Sequence, residues 1–139
     1  MLVINKYMNI IHLLDWQEPN LVSFDFDDTL CFTHGRPNKT IVDKVIDYHN
    51  NGYQCIIVTA RNHEHESEDW YRANEPLRIP VMSFLKLHNL PIAKIYFTNH
   101  ALKGPILKNL NVIKHYDDKD EEIESAKKCG IQAIKVIKD

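Results

Sequence analysis

In the stretch Leu21-Val22-Ser23-Phe24-Asp25-Phe26-Asp27-Asp28-Thr29-Leu30 an apolar, strand-like run ends abruptly in three acids. Leu21–Phe26 is rich in β-branched and aromatic residues, which suits a buried strand. Four further runs have the same character: 53–59 (YQCIIVT), 92–98 (IAKIYFT), 111–116 (NVIKHY) and 131–137 (IQAIKVI). The segments between them carry helical spacing. Ile41, Val42, Val45 and Ile46 form one apolar face, with Gly52 as a C-terminal stop. Leu102, Ile106, Leu107 and Leu110 form another, with Pro105 tolerated in the first turn. Asp120, Glu121 and Glu122 open a last helix that Gly130 closes. Strands alternating with helices predict an α/β fold, a three-layer α/β/α sandwich around a mainly parallel five-stranded, Rossmann-like sheet. A chain of 139 residues builds this as one domain over residues 1–139.

In such sheets ligands bind beyond the carboxyl ends of the strands, where strand order reverses. Here those ends are polar: Asp25, Asp27, Asp28 and Thr29 after the first strand, Thr59 and Arg61 after the second, Asp117 and Asp118 after the fourth. Asp25 and Asp27 are two apart in an extended segment and so can face one side. Several carboxylates in one cleft repel unless a cation sits among them, and hard oxygen ligands with open positions suit Mg²⁺ beside a phosphate. Phosphoryl transfer needs these parts, because positioning and charge neutralisation supply most of its catalysis.

Asp25-Phe26-Asp27-Asp28-Thr29-Leu30 resembles motif I, D-x-D-x-T, of the haloacid dehalogenase-like (HAD) superfamily of aspartate-nucleophile phosphatases. Val58-Thr59-Ala60-Arg61 is similar to its motif II, Lys103 stands where motif III supplies a lysine, and Tyr116-Asp117-Asp118 resembles motif IV. The resemblance implies that Asp25 is the nucleophile forming an aspartyl-phosphate. It implies that Asp27 is the general acid and then the base, with its backbone carbonyl reaching the metal. Asp25 and Asp117 would bind Mg²⁺ directly and Asp118 through a water. Thr59 would hydrogen-bond the phosphoryl group, and Lys103 would neutralise it and orient Asp25. Thr29 would support the loop and stand, with Arg61, on the substrate side. Lys108 and Lys114 also precede Asp117; Lys103 is preferred because it would sit at a helix start, while Lys108 falls inside the helix.

The family governs substrate choice through cap insertions, after motif I or before motif III. About ten residues separate Leu30 from Ile41, and Lys103 stands five positions after Thr98, so no separate cap domain fits. Capless relatives act on macromolecules or form oligomers whose neighbours serve as lids. Within them the layout is similar to the phosphatase domain of polynucleotide kinase 3′-phosphatases, through Gly52-Tyr53-Gln54, Arg61, Trp70 and Asp117-Asp118. That implies a phosphorylated substrate, a nucleic-acid 3′ end or a nucleotide, with Arg36, Lys39, Arg61, His63 and Arg72 as a basic rim. A P-loop sequence, G-x-x-x-x-G-K-[ST], does not occur, so no kinase motif accompanies these residues.

Lys plus Arg number 17 against 19 Asp plus Glu, a net charge of −2, which excludes binding to nucleic acid or membrane by bulk positive charge. Three cysteines without a C-x-x-C pair argue against a disulfide framework and for a reducing, cytoplasmic setting; Cys31 reads as a small buried residue. Ile4, Tyr7, Met8, Ile11 and Leu14 share one face of an amphipathic helix over about 3–15, interrupted by polar residues and unlike a membrane span. His63-Glu64-His65-Glu66 lacks H-E-x-x-H spacing and reads as the opening of a charged helix rather than a zinc site. Trp70 and Tyr71 either pack a helix face or offer a stacking surface. Two other functions use similar residues. One is a receiver-like phospho-accepting module, which needs an acid where the third strand ends in Thr98-Asn99. The other is a catalytically quiet binding protein on the same fold.

Overall fold

The computed structural model describes residues 20–137. The helix expected over about 3–15 lies outside the described residues. Five parallel strands stand in the order β3-β2-β1-β4-β5. They are β1 (Leu21–Phe24), β2 (Gln54–Thr59), β3 (Ile92–Phe97), β4 (Val112–Asp117) and β5 (Gln132–Lys135). Helix α1 (Lys39–Asn50) joins β1 to β2, α2 (Glu68–Asn74) and α3 (Val81–His88) lie between β2 and β3, α4 (Gly104–Asn109) leads to β4, and α5 (Asp120–Lys128) leads to β5.

Alternation along β2 shows how the sheet becomes the middle of three layers. Cys55 and Ile57 pack into one cluster with Ile41, Val45, Val81, Phe84 and Leu85 of α1 and α3. Ile56 and Val58, pointing the other way, join Leu107 of α4 and Ala126 of α5 in a second. Phe24 is fully buried and stacks on Tyr116 with centroids 5.0 Å apart. Its truncation to Ala would cost about 3–5 kcal/mol.

Four of the strands are shorter than the apolar runs that announce them, and β4 is as long as its run but lies one residue later. β1 stops at Phe24 because the chain then turns sharply: Phe26 O accepts from the N–H groups of Thr29, Leu30 and Cys31. The charged helix expected from Asn62 is a 3-10 turn at His63–His65 followed by α2, which starts where the Ser67 hydroxyl accepts from Trp70 N. Helix α3 has no counterpart in the sequence reading. Its eight residues bury only Val81, Phe84 and Leu85, too few for a helical period to stand out. No helix among the described residues is long and apolar enough to cross a membrane.

Candidate active site at the β1/β4 switch

Strand order reverses between β1 and β4. From β1 the chain moves outward to β2 and β3, then returns past β1 to β4. The register pairs Ser23 with His115 and Phe24 with Tyr116, so Asp25 and Asp117 emerge side by side. Asp25 N still donates to Tyr116 O at 2.8 Å, which carries the ladder one residue past β1 and holds the Asp25 backbone in place. Asp28 then takes φ 63° to close the turn, a conformation short polar side chains tolerate. Thr29 donates to Asp25 Oδ2 at 3.0 Å and lies 3.5 Å from Asp118 Oδ1. It is wholly buried, so its hydroxyl serves the Asp25 carboxylate and not the substrate side where it was also expected.

Lys103 comes to this point from 78 residues away. Its Nζ donates to Asp25 Oδ1 at 2.8 Å and to Asp117 Oδ2 at 2.7 Å, and the side chain is buried. Lys108 is exposed on the outside of α4, as its position within the helix predicts. Helix α5 fixes the backbone of Lys103: Glu122 Oε1 accepts from Lys103 N at 2.9 Å, and Ser125 Oγ accepts from Gly104 N at 3.0 Å. These two side chains satisfy amide groups that α4 cannot. The approach is close enough that a Cβ on Gly104 would fall 2.4 Å from Ser125 O.

The electrostatics follow from burial. Burial pushes the Asp25 carboxyl well above the usual range, against the pull of Lys103 and with a further push from Asp117. Burial also raises Asp117, but the His115 hydrogen bond and the charge of Lys103 outweigh it and bring Asp117 to about 2. Burial disfavours the Lys103 ammonium, yet Asp25 and Asp117 more than compensate and hold it protonated. Asp25, Asp117 and Asp118 each place a carboxylate oxygen within 4.8 Å of the others. Three hard oxygen donors, one with its charge suppressed by burial, fit a small divalent cation such as Mg²⁺.

A second cluster holds Asp27. Arg61 donates to both of its oxygens, Nε to Oδ2 and Nη2 to Oδ1, each at 2.8 Å. The guanidinium lies between the rings of Phe26 and Tyr71, 4.7 and 4.8 Å from their centroids, and also donates to Glu66 Oε2 and Ile79 O. Burial opposes its charge, but the bonds and charge of Asp27 outweigh this and raise its pKa. Glu66 in turn accepts from Tyr71 Oη and Val81 N. Thr59 is buried beside the cleft; its Oγ1 accepts from Arg61 N at 3.3 Å, which leaves the hydroxyl proton for another acceptor.

Asp25, Asp27, Thr59, Arg61 and Lys103 line one cleft of about 140 Å³, walled by Trp70, Tyr71, Glu75 and Arg78 from the β2–β3 connection and by His100 and Lys119. The expected basic rim is corrected here. Of its five members only Arg61 lines the cleft, and it is buried. Lys39 pairs with Asp43 and Arg72 with Asp69 along their own helices, Arg36 lies over Phe32, and His63 packs on Phe97. Helical i,i+3 and i,i+4 spacing turns Lys39 and Arg72 along the surface of their helices. Arg78, Lys119 and His100 take the rim instead. Trp70 is half-buried and stacks on His65 with centroids 4.1 Å apart, so it both packs and borders the cleft.

The sequence gives no site role to Ser23, Arg78 or His115, and reads Glu66 and Glu122 only as openings of charged helices. A signal existed for two of them: Ser23 and His115 stand two residues before Asp25 and Asp117 and therefore share their side of the sheet. Glu66, Arg78 and Glu122 carry no such signal, because the packing of α2, α3 and α5 delivers them.

No family model matches the chain, and no curated protein matches it. Among solved structures, a chain in the Pnkp1/Rnl/Hen1 RNA repair complex superposes with a TM-score of 0.64 at 17% identity over 85% of this chain. A chain in a second structure of the Pnkp1/Rnl/Hen1 complex gives 0.63 at 19% identity over the same share. This chain spans 42% and 46% of the length of those chains. The likeness is one of fold.

Proposed function

We propose that the chain is a Mg²⁺-dependent phosphomonoesterase of the HAD type, working through an aspartyl-phosphate on Asp25 and acting on phosphorylated nucleic-acid ends. The observation that carries this reading is the Lys103 ammonium set between Asp25 and Asp117, with Asp118 completing the carboxylate cluster. A salt bridge built only for stability has little use for two buried acids on one lysine, with a third acid beside them, at a strand-order switch, since burying the charges costs more than the pairing returns.

Asp25, Asp117 and Asp118 would hold Mg²⁺, which supplies positive charge that favours the ionised Asp25 and draws electron density from the phosphoryl group. Thr29 and Lys103 hold the Asp25 carboxylate by one donor on each oxygen. An Asp25 oxygen bonds to phosphorus as the ester P–O bond breaks, and Asp27, protonated on an oxygen released from Arg61, passes that proton to the departing oxygen. Asp27 then takes a proton from water, whose oxygen attacks phosphorus; the bond to Asp25 breaks and inorganic phosphate leaves. The Thr59 hydroxyl and Lys103 would meet phosphoryl oxygens, and Arg61 would keep Asp27 at the cleft.

The size of the cleft supports a large substrate. About 140 Å³ takes a phosphoryl group and little more, whereas sites that enclose a whole small ligand run to roughly 300–1,000 Å³. The remainder of the substrate would lie across Trp70, Arg78, His100 and Lys119, where an aromatic ring and two basic side chains, one of them paired with Glu75, could meet a nucleic-acid strand. The similar chains in structures of an RNA repair complex favour the same substrate class. The receiver-like alternative lacks support, since β3 ends at Phe97 and is followed by Thr98 and Asn99, with no acid to phosphorylate.

The test is phosphate release from an aryl phosphate, 5′- and 3′-mononucleotides, sugar phosphates, and oligonucleotides phosphorylated at either end, with and without Mg²⁺. The reading expects Mg²⁺-dependent release with oligonucleotides preferred. Preference for mononucleotides or sugar phosphates would overturn the substrate class, and no release from any of them would overturn the enzyme.

A further inference from the structure

Beneath the carboxylate cluster lies a buried polar chain that the proposed chemistry does not use. His115 Nε2 is 2.9 Å from Asp117 Oδ2, and His115 Nδ1 is 2.6 Å from Ser23 Oγ. Ser23, His115 and Asp117 are each fully buried. Buried polar groups of this kind are retained in a core only when satisfied.

Proton counting leaves one neutral arrangement that satisfies both contacts. If Nε2 carries the hydrogen, it donates to the Asp117 carboxylate, and Nδ1 accepts from the Ser23 hydroxyl. If Nδ1 carried it, the Nε2 lone pair would face a carboxylate oxygen, and Ser23 would be left to donate to Lys114 O at a long 3.5 Å. The Ser23 hydroxyl therefore selects the tautomer, and the tautomer directs a donor at Asp117. Asp117 Oδ2 receives this donor together with Lys103 Nζ, while Lys119 N donates to Oδ1 at 3.1 Å, so the carboxylate is held at both oxygens.

We propose that Ser23 and His115 form a positioning relay that fixes the Asp117 carboxylate for cation binding. The relay rests on the metal-ligand role given to Asp117 in the proposed function. Outer partners of this type set ligand orientation, and their loss weakens metal affinity about 10–100-fold. The pairing follows from the sheet register, which places Ser23 of β1 opposite His115 of β4 on the side from which Asp25 and Asp117 emerge.

Two readouts independent of turnover test it on the full chain. Ring ¹⁵N NMR of metal-free protein should show a proton on His115 Nε2, and Ser23→Ala should loosen that preference. Mn²⁺ binding, followed by the EPR signal of the free ion, should weaken about 10–100-fold in His115→Phe and by less in Ser23→Ala. His115→Gln, whose amide nitrogen reaches about as far as Nε2, should recover most of the loss. A ring protonated at Nδ1 alone overturns the relay. So does Mn²⁺ affinity in Ser23→Ala and His115→Gln that bears no relation to the donor each retains. A wild-type chain that binds no Mn²⁺ overturns the metal reading and the relay's purpose together, whereas normal wild-type binding with unshifted variants overturns the relay alone. Should His115→Phe fail to fold, the Ser23→Ala pair of measurements still decides.

Discussion

Lys103 Nζ lies 2.8 Å from Asp25 Oδ1, and the two residues share a buried pocket with Asp117 though 78 positions separate them. Each needs the other. Without Lys103 the two acids would face each other with no positive charge, and without the acids the ammonium would be buried unpaired.

Asp25→Asn should abolish phosphate release, by on the order of 10³-fold or more, if Asp25 is the nucleophile. The same change should leave the metal-free protein at least as stable as wild type. Burial raises the folded pKa of Asp25 above 3.8, so the folded state keeps its proton longer and carries a cost that grows as pH rises above about 4. Asparagine removes that cost while keeping the shape. Thermal unfolding at neutral pH without divalent cations checks this, and a clearly lowered midpoint would contradict it.

The Asp27 assignment separates two half-reactions. In Asp27→Asn an activated aryl phosphate needs no acid to leave, so Asp25 still becomes phosphorylated, but water is no longer activated. A burst of about one phenol per chain followed by slow turnover should appear in stopped-flow, with steady-state rates down about 10²–10⁴-fold. Arg61→Lys should show the same pattern more weakly, because lysine cannot make the two-pronged contact to Asp27 or lie flat between Phe26 and Tyr71. Uniform slowing with no burst would count against this role.

Gly104→Ala should cost about 1–3 kcal/mol of stability, because the new methyl group would press on the backbone of Ser125. Relief by moving α4 would carry Lys103 away from Asp25, so activity should fall further than stability. Urea unfolding and phosphate release measured on the same sample check both parts. An unchanged unfolding midpoint would show that α4 and α5 sit further apart than described.

On the acid side, Asp117 is held near 2 in the folded state against an ordinary 3.8. Between those values the unfolded chain binds more protons, so this stabilisation is present above about pH 4 and is lost as pH falls towards 2. Asp117→Asn should flatten that part of the stability curve. Unfolding midpoints from pH 5 to pH 2 give the slope, and identical slopes in the two proteins would place the titration elsewhere.

Much of the fold was legible because apolar periodicity is a local property. Each strand run stood out by its β-branched and aromatic residues, and β2 shows why the runs could be read at all: Cys55 and Ile57 face one helical layer, Ile56 and Val58 the other. Boundaries were less legible. The Phe26 carbonyl ends β1 early by gathering three amide groups, an arrangement no strand propensity contains. Helix α3 escaped notice because two turns of helix bury too few residues to mark a period.

The sequence by itself determined which acids stand at strand ends, that Lys103 precedes a helix start, and hence that carboxylates, a lysine and a threonine would gather at one edge of a parallel sheet. Tertiary structure alone decided what each group does on arrival. It set Lys103 between two acids, spent the Thr29 hydroxyl on Asp25, buried Arg61 against Asp27, and replaced the expected rim with Arg78, His100 and Lys119. The division has a physical reason. Strand and helix placement follows from apolar residues a few positions apart, whereas hydrogen bonds and ion pairs in a cleft join side chains tens of residues apart. Their geometry exists only once the layers have packed.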